Sequence, residues 1–270
     1  DTYVRNGDRA AAQKADRPPY VPGMDAAGVV DEVGDGVETG VVVGDRVMAM
    51  VVPSGSHGAY RESLVLEAGA VVRAPAGTSH AEASTLPMNG LTARQSLDQL
   101  ALTPGQTLAV TGAAGAYGGY VVQLAKADGL TVIADASDAD AALVAALGAD
   151  IVVARGDDFA AKVRAHYPDG VDGLADGAVL NELCIDAVRD GGAFASIRGF
   201  RGEPQREIVF NATMVTTYDG RYDTLDRLRA QVEAGQVTLR VAGTFPAEQA
   251  HETHAKLEAG GTRGRWVIEF

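Results

Sequence analysis

The chain has 270 residues, 46% of them hydrophobic, and a formal net charge of −13 from 36 acidic against 23 basic residues. That length supports one or two ordinary cores, no apolar run is long enough to cross a bilayer, and the acidic balance argues against a nucleic-acid partner. A single cysteine, Cys184, excludes an internal disulfide framework and a cysteine zinc cluster; with no signal peptide read at the start, the expectation is a reducing, cytoplasmic setting.

Residues 1 to about 90 read as β-rich and turn-rich. Short β-branched runs such as Gly28-Val29-Val30, Val43-Gly44-Asp45-Arg46-Val47 and Val71-Val72-Arg73 are broken by Gly, Asp and Pro, the pattern of strands joined by tight turns. Helices are predicted over 81–86 and 91–100, and Thr103-Pro104-Gly105 reads as a turn.

The stretch that follows organises the chain. Thr107-Leu108-Ala109-Val110 reads as a buried parallel strand, and residues 120–126 carry apolar side chains at helical spacing, so Gly112, Gly115 and Gly118 sit on a strand-to-helix turn. The first glycine allows the tight turn, the second lets backbone approach a pyrophosphate, and the third lets helix lie close on strand. The helix N-terminus then offers N–H groups and a positive dipole end to the phosphates. An ordinary tight βα turn also needs glycine; the strand before and the helix after favour the dinucleotide reading. A second strand (131–134) ends in Asp135-Ala136-Ser137-Asp138, a helix follows over 139–147, and a third strand over 151–153 completes a βαβαβ half. Further on come a helix (157–166), a strand (171–175), a helix (180–188), a turn at Asp190-Gly191-Gly192 and a strand (193–197). The fold class is therefore α/β, a doubly wound parallel sheet over 93–222 flanked by 1–92 and 223–270. The last segment holds a predicted helix from 222 to 234 and a strand over 264–270, and it is expected to return to the first domain.

Several stretches agree with one family. Tyr20-Val21-Pro22-Gly23-Met24-Asp25-Ala26-Ala27-Gly28-Val29-Val30 resembles its opening motif, and Gly44-Asp45-Arg46-Val47 follows at the expected place. Leu86-Pro87-Met88-Asn89-Gly90-Leu91-Thr92-Ala93 resembles the segment ahead of its cofactor domain, and the glycine turn and the ending Gly261-Thr262-Arg263-Gly264-Arg265 also fit. On these motifs the whole chain resembles the medium-chain dehydrogenase/reductase superfamily, in the branch of zinc-independent quinone oxidoreductases related to zeta-crystallin. The resemblance implies a Rossmann domain inserted in a β-rich GroES-like catalytic domain with the active cleft between them. It also implies a homodimer and NADPH-dependent reduction of quinones or α,β-unsaturated carbonyls. Coenzyme contacts are implied from Gly112, Ala114, Gly115, Ala116, Tyr117 and Gly118, from Ser137 and Arg155, from Ile197, Arg198 and Gly199, and from Arg263. Thr92 is implied to lie near the nicotinamide and Tyr3 to line the substrate cleft; a helix N-cap for Thr92 and surface packing for Tyr3 are equally open.

Zinc-dependent relatives place a His-Glu pair where this chain has Met24-Asp25, and a thioether is a poor zinc ligand, so no metal is expected. His251 and His254, three apart on a predicted helix, read as solvated, and His57, His80 and His166 as structural or surface residues. By the resemblance, Ala136 stands where NAD-specific members carry an acidic ribose partner. That leaves room for a 2′-phosphate facing Arg155, and NADP(H) is favoured; NAD(H) follows if Asp135 takes the ribose position instead. The chain departs from the family twice. Arg198 falls near a usual glycine after the fifth strand, where it either crowds the nicotinamide end or marks an alignment shift of one residue. Members also carry further residues ahead of the segment resembling Asp1-Thr2-Tyr3-Val4-Arg5, so an N-terminal part is expected beyond this sequence, unless the protein is itself a shortened member. Two other functions stay open: an enoyl-thioester reductase, and a crystallin-like cofactor-binding protein with little turnover, which Arg198 keeps alive.

Overall fold

The computed structural model describes residues 1–8, 17–218 and 220–270. The chain divides into two compact units: Asp1–Met88, Gly220–Gly235 and Leu239–Phe270 form the first, and Asn89–Asp219 with Gln236–Thr238 the second.

The first unit opens with α1 (Thr2–Arg5) and a three-stranded antiparallel sheet of β1 (Asp25–Val29), β2 (Arg46–Met50) and β3 (Val71–Arg73), β2 lying in the middle. Met48, Ala49 and Met50 bury the sheet. A turn stitched by Val30 donating to the Asp45 carbonyl and Gly44 to the Val30 carbonyl leads into β2. Less of this segment is strand than predicted. Valine-rich runs such as 41–43 find no partner strand, and β-propensity alone does not hold an extended chain. The short α2 (His80–Ala83) starts on a capping box in which Ser79 and Glu82 bond each other's backbone amides.

The chain passes into the second unit along α3 (Pro87–Leu100). This helix begins earlier than the predicted 91, because a proline in its first turn is already set for helix. Then follow β4 (Thr107–Thr111), α4 (Ala116–Ala127), β5 (Thr131–Ala136), α5 (Ala141–Ala146), β6 (Ile151–Ala154), α6 (Phe159–His166), β7 (Val171–Asp176), β8 (Val188–Ser196) and β9 (Val209–Ala212). All six strands are parallel, in the order β6-β5-β4-β7-β8-β9. This is the expected doubly wound Rossmann sheet. Its strand order reverses between β4 and β7, and ligands of such sheets bind at the carboxyl ends there. Ile133, Leu174, Phe159, Val163 and Phe194 fill the core on one side of the sheet. Phe194, Phe200 and Phe210 form an aromatic trio with centroids 5.6–6.4 Å apart.

Two predicted elements differ. The helix expected over 180–188 is a 3₁₀ turn over Asn181–Ala187. The turn expected at Asp190–Gly192 lies inside β8, which bulges there: Gly191 takes φ +67° and donates its amide to the Arg206 carbonyl.

The first unit is completed by α7 (Arg221–Glu233), β10 (Val241–Pro246), α8 (Ala250–Glu258) and β11 (Arg265–Glu269), with β10 and β11 parallel. Phe245 meets Trp266 edge-on at 5.8 Å, and the Lys256 ammonium stands 5.3 Å above the Trp266 ring. Among the described residues no helix is long and apolar enough to cross a membrane.

Candidate active site

The carboxyl end of β4 passes into the first turn of α4 through 112–115. Gly112 takes φ +66°, and a Cβ on it would stand 2.9 Å from the Gly177 carbonyl carbon. Gly115 is the N-cap of α4 and donates its amide to the Gly112 carbonyl at 2.9 Å. A Cβ on Gly118 would lie 2.3 Å from the Gly112 oxygen, so the helix rests directly on the turn. Ala114, Gly115 and Ala116 are half-buried, while Tyr117 and Gly118 are buried. The absent side chains let the turn close on its own backbone just ahead of the α4 N-terminus, whose N–H groups and dipole suit a dinucleotide pyrophosphate.

Asp135, at the end of β5, is 5% exposed, and its Oδ1 accepts the Ala113 amide at 3.1 Å. Burial pushes its carboxyl above the usual range, while the Ala113 and Gly112 amides and the Arg155 guanidinium pull it back. The Asp135 carboxylate thus sits under the turn and supports it, and Ala136 is the last residue of the strand. Arg155, exposed just after β6, donates its amide to the Ala136 carbonyl at 2.8 Å. The half-buried Ser137 donates its hydroxyl to Asp140, at the start of α5. Ala136, Ser137 and Arg155 are therefore gathered at the adjoining ends of β5 and β6.

On the other side of the turn, Ile197, Arg198 and Gly199 follow β8. Ile197 is half-buried, and Arg198 and Gly199 are exposed with φ of +68° and +86°. The left-handed backbone at Arg198 is the conformation a glycine takes without strain, and a glycine is what the family resemblance leads one to expect near this position. Thr92 lies inside α3 and is 8% exposed, so it is not the cap of this helix. Tyr3, on α1, is 39% exposed, and the half-buried Arg263 precedes β11; both belong to the first unit.

Sequence reasoning passed over Asp176. Fully buried at the end of β7, it accepts from the Thr111 hydroxyl at 2.5 Å and from the Leu180 and Asn181 amides at 3.1 and 2.7 Å. An acidic residue closing an apolar strand was the signal available for it.

The zinc position does not fit a metal. The Asp25 carboxylate, 9% exposed, accepts the Met88 amide at 2.7 Å and pairs with Arg265 at 3.1 Å, and its neighbour Met24 offers only a thioether. Of the two helix histidines, His251 is exposed as expected. His254 instead is buried, with its Nε2 3.0 Å from the Tyr60 hydroxyl, because α8 turns that face inward.

Two family profiles match the chain: one described as an alcohol dehydrogenase GroES-like domain over residues 1–76, the other as a zinc-binding dehydrogenase over residues 147–268. The chain is similar to a chloroplastic NADPH-dependent alkenal/one oxidoreductase of Arabidopsis thaliana, 29% identical over 93% of this chain; it spans only 64% of that relative's length. It is 29% identical to a probable quinone oxidoreductase of Schizosaccharomyces pombe over 99% of this chain and 84% of the other. A trans-enoyl reductase of Aspergillus terreus is 33% identical over 78% of this chain and 77% of its own length. Among solved structures, an NAD-dependent alcohol dehydrogenase superposes with a TM-score of 0.88 at 28% identity, covering 99% of this chain and 87% of the other.

Proposed function

Since the chain belongs to the medium-chain dehydrogenase/reductase superfamily of oxidoreductases, in its zeta-crystallin-like branch, we propose that it is a zinc-independent, NADPH-dependent reductase of a quinone or an α,β-unsaturated carbonyl. The observation that carries the coenzyme half is the glycine turn between β4 and α4, where a Cβ at 112 or 118 would strike the backbone of Gly177 or Gly112 and open the turn that leads into the α4 N-terminus. Gly112, Ala114, Gly115, Ala116, Tyr117 and Gly118 hold the pyrophosphate through backbone. Ala136 leaves room for a 2′-phosphate, which the exposed Arg155 meets, with Ser137 beside it. Asp135, occupied under the turn, is withdrawn from the ribose, which supports NADPH over NADH. Ile197, Arg198 and Gly199 border the nicotinamide end. Tyr3 and Arg263 are assigned to substrate and coenzyme by family resemblance alone.

When bound, the nicotinamide supplies a hydride to the conjugated acceptor. The chain's own part is to orient that acceptor and to stabilise charge on its oxygen; the Thr92 hydroxyl is the group proposed for this. A quinone or enone delocalises the incoming electrons itself, so the reaction does not require the Lewis acid that helps alkoxide formation from a simple alcohol. The reading includes a homodimer acting on a small molecule in the cytoplasm. The trans-enoyl reductase relative favours a second reading, reduction of an enoyl thioester.

Parallel assays with NADPH and NADH against a small quinone, an enone, an enoyl thioester and a simple alcohol test the proposal. The expected result is quinone or enone reduction with NADPH preferred, and a preference that Arg155→Ala erodes. Alcohol oxidation without quinone or enone reduction would overturn it. NADPH binding without any turnover would favour the crystallin-like role, and an NADH preference untouched by Arg155→Ala would return the ribose to Asp135.

A further inference from the structure

A chain of buried hydroxyls runs beneath the glycine turn, within the second unit. The Tyr117 Oη donates to Ser96 Oγ at 2.8 Å, Ser96 Oγ lies 3.0 Å from Thr213 Oγ1, and Thr213 donates to Gln99 Oε1 at 2.8 Å. Tyr117, Ser96 and Thr213 are 7, 0 and 5% exposed. The direction of the chain follows from its end. A carboxamide oxygen only accepts, so the one proton of Thr213 is committed to Gln99. Ser96 must then donate to Thr213, and its lone pair receives the proton of Tyr117. The phenol therefore has no proton left for a substrate, which removes Tyr117 as a general acid.

The chain joins three elements. Tyr117 stands in the first turn of α4, immediately before Gly118, and its ring lies against the Gly177 backbone: a Cβ on Gly177 would come within 2.8 Å of Tyr117 Cδ1. Ser96 and Gln99 belong to α3, and Thr213 follows β9, where its amide donates to the Ser196 carbonyl at 2.8 Å. Ser96 is four residues beyond Thr92, so both lie on one face of α3.

We propose that Tyr117 is a positioning residue. Through Ser96 it sets the rotation and height of α3 against the glycine turn, and thereby the placement of the Thr92 hydroxyl toward the oxygen of the acceptor beside the nicotinamide. This rests on the reading of Thr92 given above. Coenzyme binding depends on the backbone of the turn, so losing the phenol hydroxyl slows hydride transfer while leaving NADPH affinity in place.

The experiment is a double-mutant cycle of Tyr117→Phe and Thr92→Val in the full chain. It is read by kcat, by NADPH affinity from fluorescence titration, and by the kinetic isotope effect with 4-deuterated NADPH, using a small quinone as acceptor. Tyr117→Phe is expected to lower kcat about tenfold, within the range that small misplacements cost, with NADPH affinity within about twofold and a larger isotope effect. The double variant is expected to be no slower than Thr92→Val alone. Ser96→Ala, which cuts the chain elsewhere, should reproduce the Tyr117→Phe phenotype and serves if that variant fails to fold. A slow Thr92→Val beside an unchanged Tyr117→Phe overturns the proposal alone, as do rate losses that multiply in the double variant. A loss confined to melting temperature and active fraction, with an unchanged isotope effect, reduces the chain to packing and also overturns it. Full activity in Thr92→Val defeats the reading of Thr92 itself, and the proposal falls with it.

Discussion

Asp172 shows how a single carboxylate can tie a sheet together and make its stability depend on pH. It stands on β7 and accepts from the Thr107 amide and hydroxyl, both at 2.8 Å, from Gln106 at 3.1 Å and from Arg189 at 2.8 Å. Burial works to raise its pKa, but the Thr107 amide, Arg189, the Thr107 hydroxyl and Gln106 together outweigh it and bring the carboxyl down to about 2. The folded-state value lies below the unfolded one, so the stabilisation is fully present above about pH 4 and is lost as the pH falls toward about 2. Asp172→Asn should therefore be destabilised at pH 7, by roughly 1 kcal/mol once solvent screening of the partly exposed Arg189 is allowed for. The gap to the wild type should close between pH 4 and pH 2. Thermal melts of both proteins across that range are the check, and a gap that stays constant with pH would assign the effect to shape instead of charge. Asp135 has the opposite sign: burial raises its pKa, so its ionisation costs stability as the pH rises.

Among the elements, the 177–181 connection after β7 carries visible backbone strain. Val179 and Asn181 take φ of +59° and +54°, a region that costs a non-glycine residue roughly 1–2 kcal/mol and suits a β-branched one least. Asp176 and Thr111 hold the connection in place: the carboxylate takes the Leu180 and Asn181 amides, and the Thr111 hydroxyl oxygen takes the Ala178 amide at 3.0 Å. Val179→Gly should relieve the strain and raise the melting temperature by a few degrees, offset in part by the greater freedom of an unfolded glycine. A clear fall would show that the valine side chain contributes more than its backbone costs. This connection also accounts for a difference between the spacing of the sequence and the element that forms. Leu180, Cys184, Ile185 and Val188 have helical spacing, yet Val179 and Asn181 take left-handed backbone, which a right-handed α-helix does not include, and what forms is a 3₁₀ turn. The Asp190-Gly191-Gly192 stretch reads as a turn because glycine permits both a turn and a bulge, and only the neighbouring strands decide between them. The βα alternation from 107 to 176 was legible because each element carries its own periodicity, and the three glycines because their local backbone demands them. The hydroxyl chain was not: its bonds join residues 21 and 117 positions apart, and nothing local to Ser96 or Thr213 marks them.

On the scale of the whole molecule, a profile named for a GroES-like domain matches residues 1–76, within the first unit, and one named for a zinc-binding dehydrogenase matches residues 147–268, which belong partly to each unit; the second name raises the question of metal directly. A structural or catalytic zinc takes thiolate, imidazole or carboxylate ligands. At the position where metal-dependent relatives carry a ligand pair, this chain has a thioether from Met24 and a carboxylate from Asp25. That carboxylate is already paired with Arg265, which lies 240 residues away on β11, and bonded by the Met88 amide. Burial pushes the Asp25 carboxyl up while Arg265 and the Met88 amide pull it down, so the arginine takes over the charge-balancing part that a cation would otherwise play. A cation entering here would first have to displace Arg265 and leave a guanidinium without its partner. Dialysis of the protein against EDTA should accordingly leave both its melting temperature and its NADPH-dependent reduction of a conjugated acceptor unchanged, and added zinc should restore nothing, because nothing was lost. Activity that disappears on chelation and returns with stoichiometric zinc would mean that the Asp25–Arg265 pair opens to admit a metal, and the zinc-independent reading would have to be abandoned.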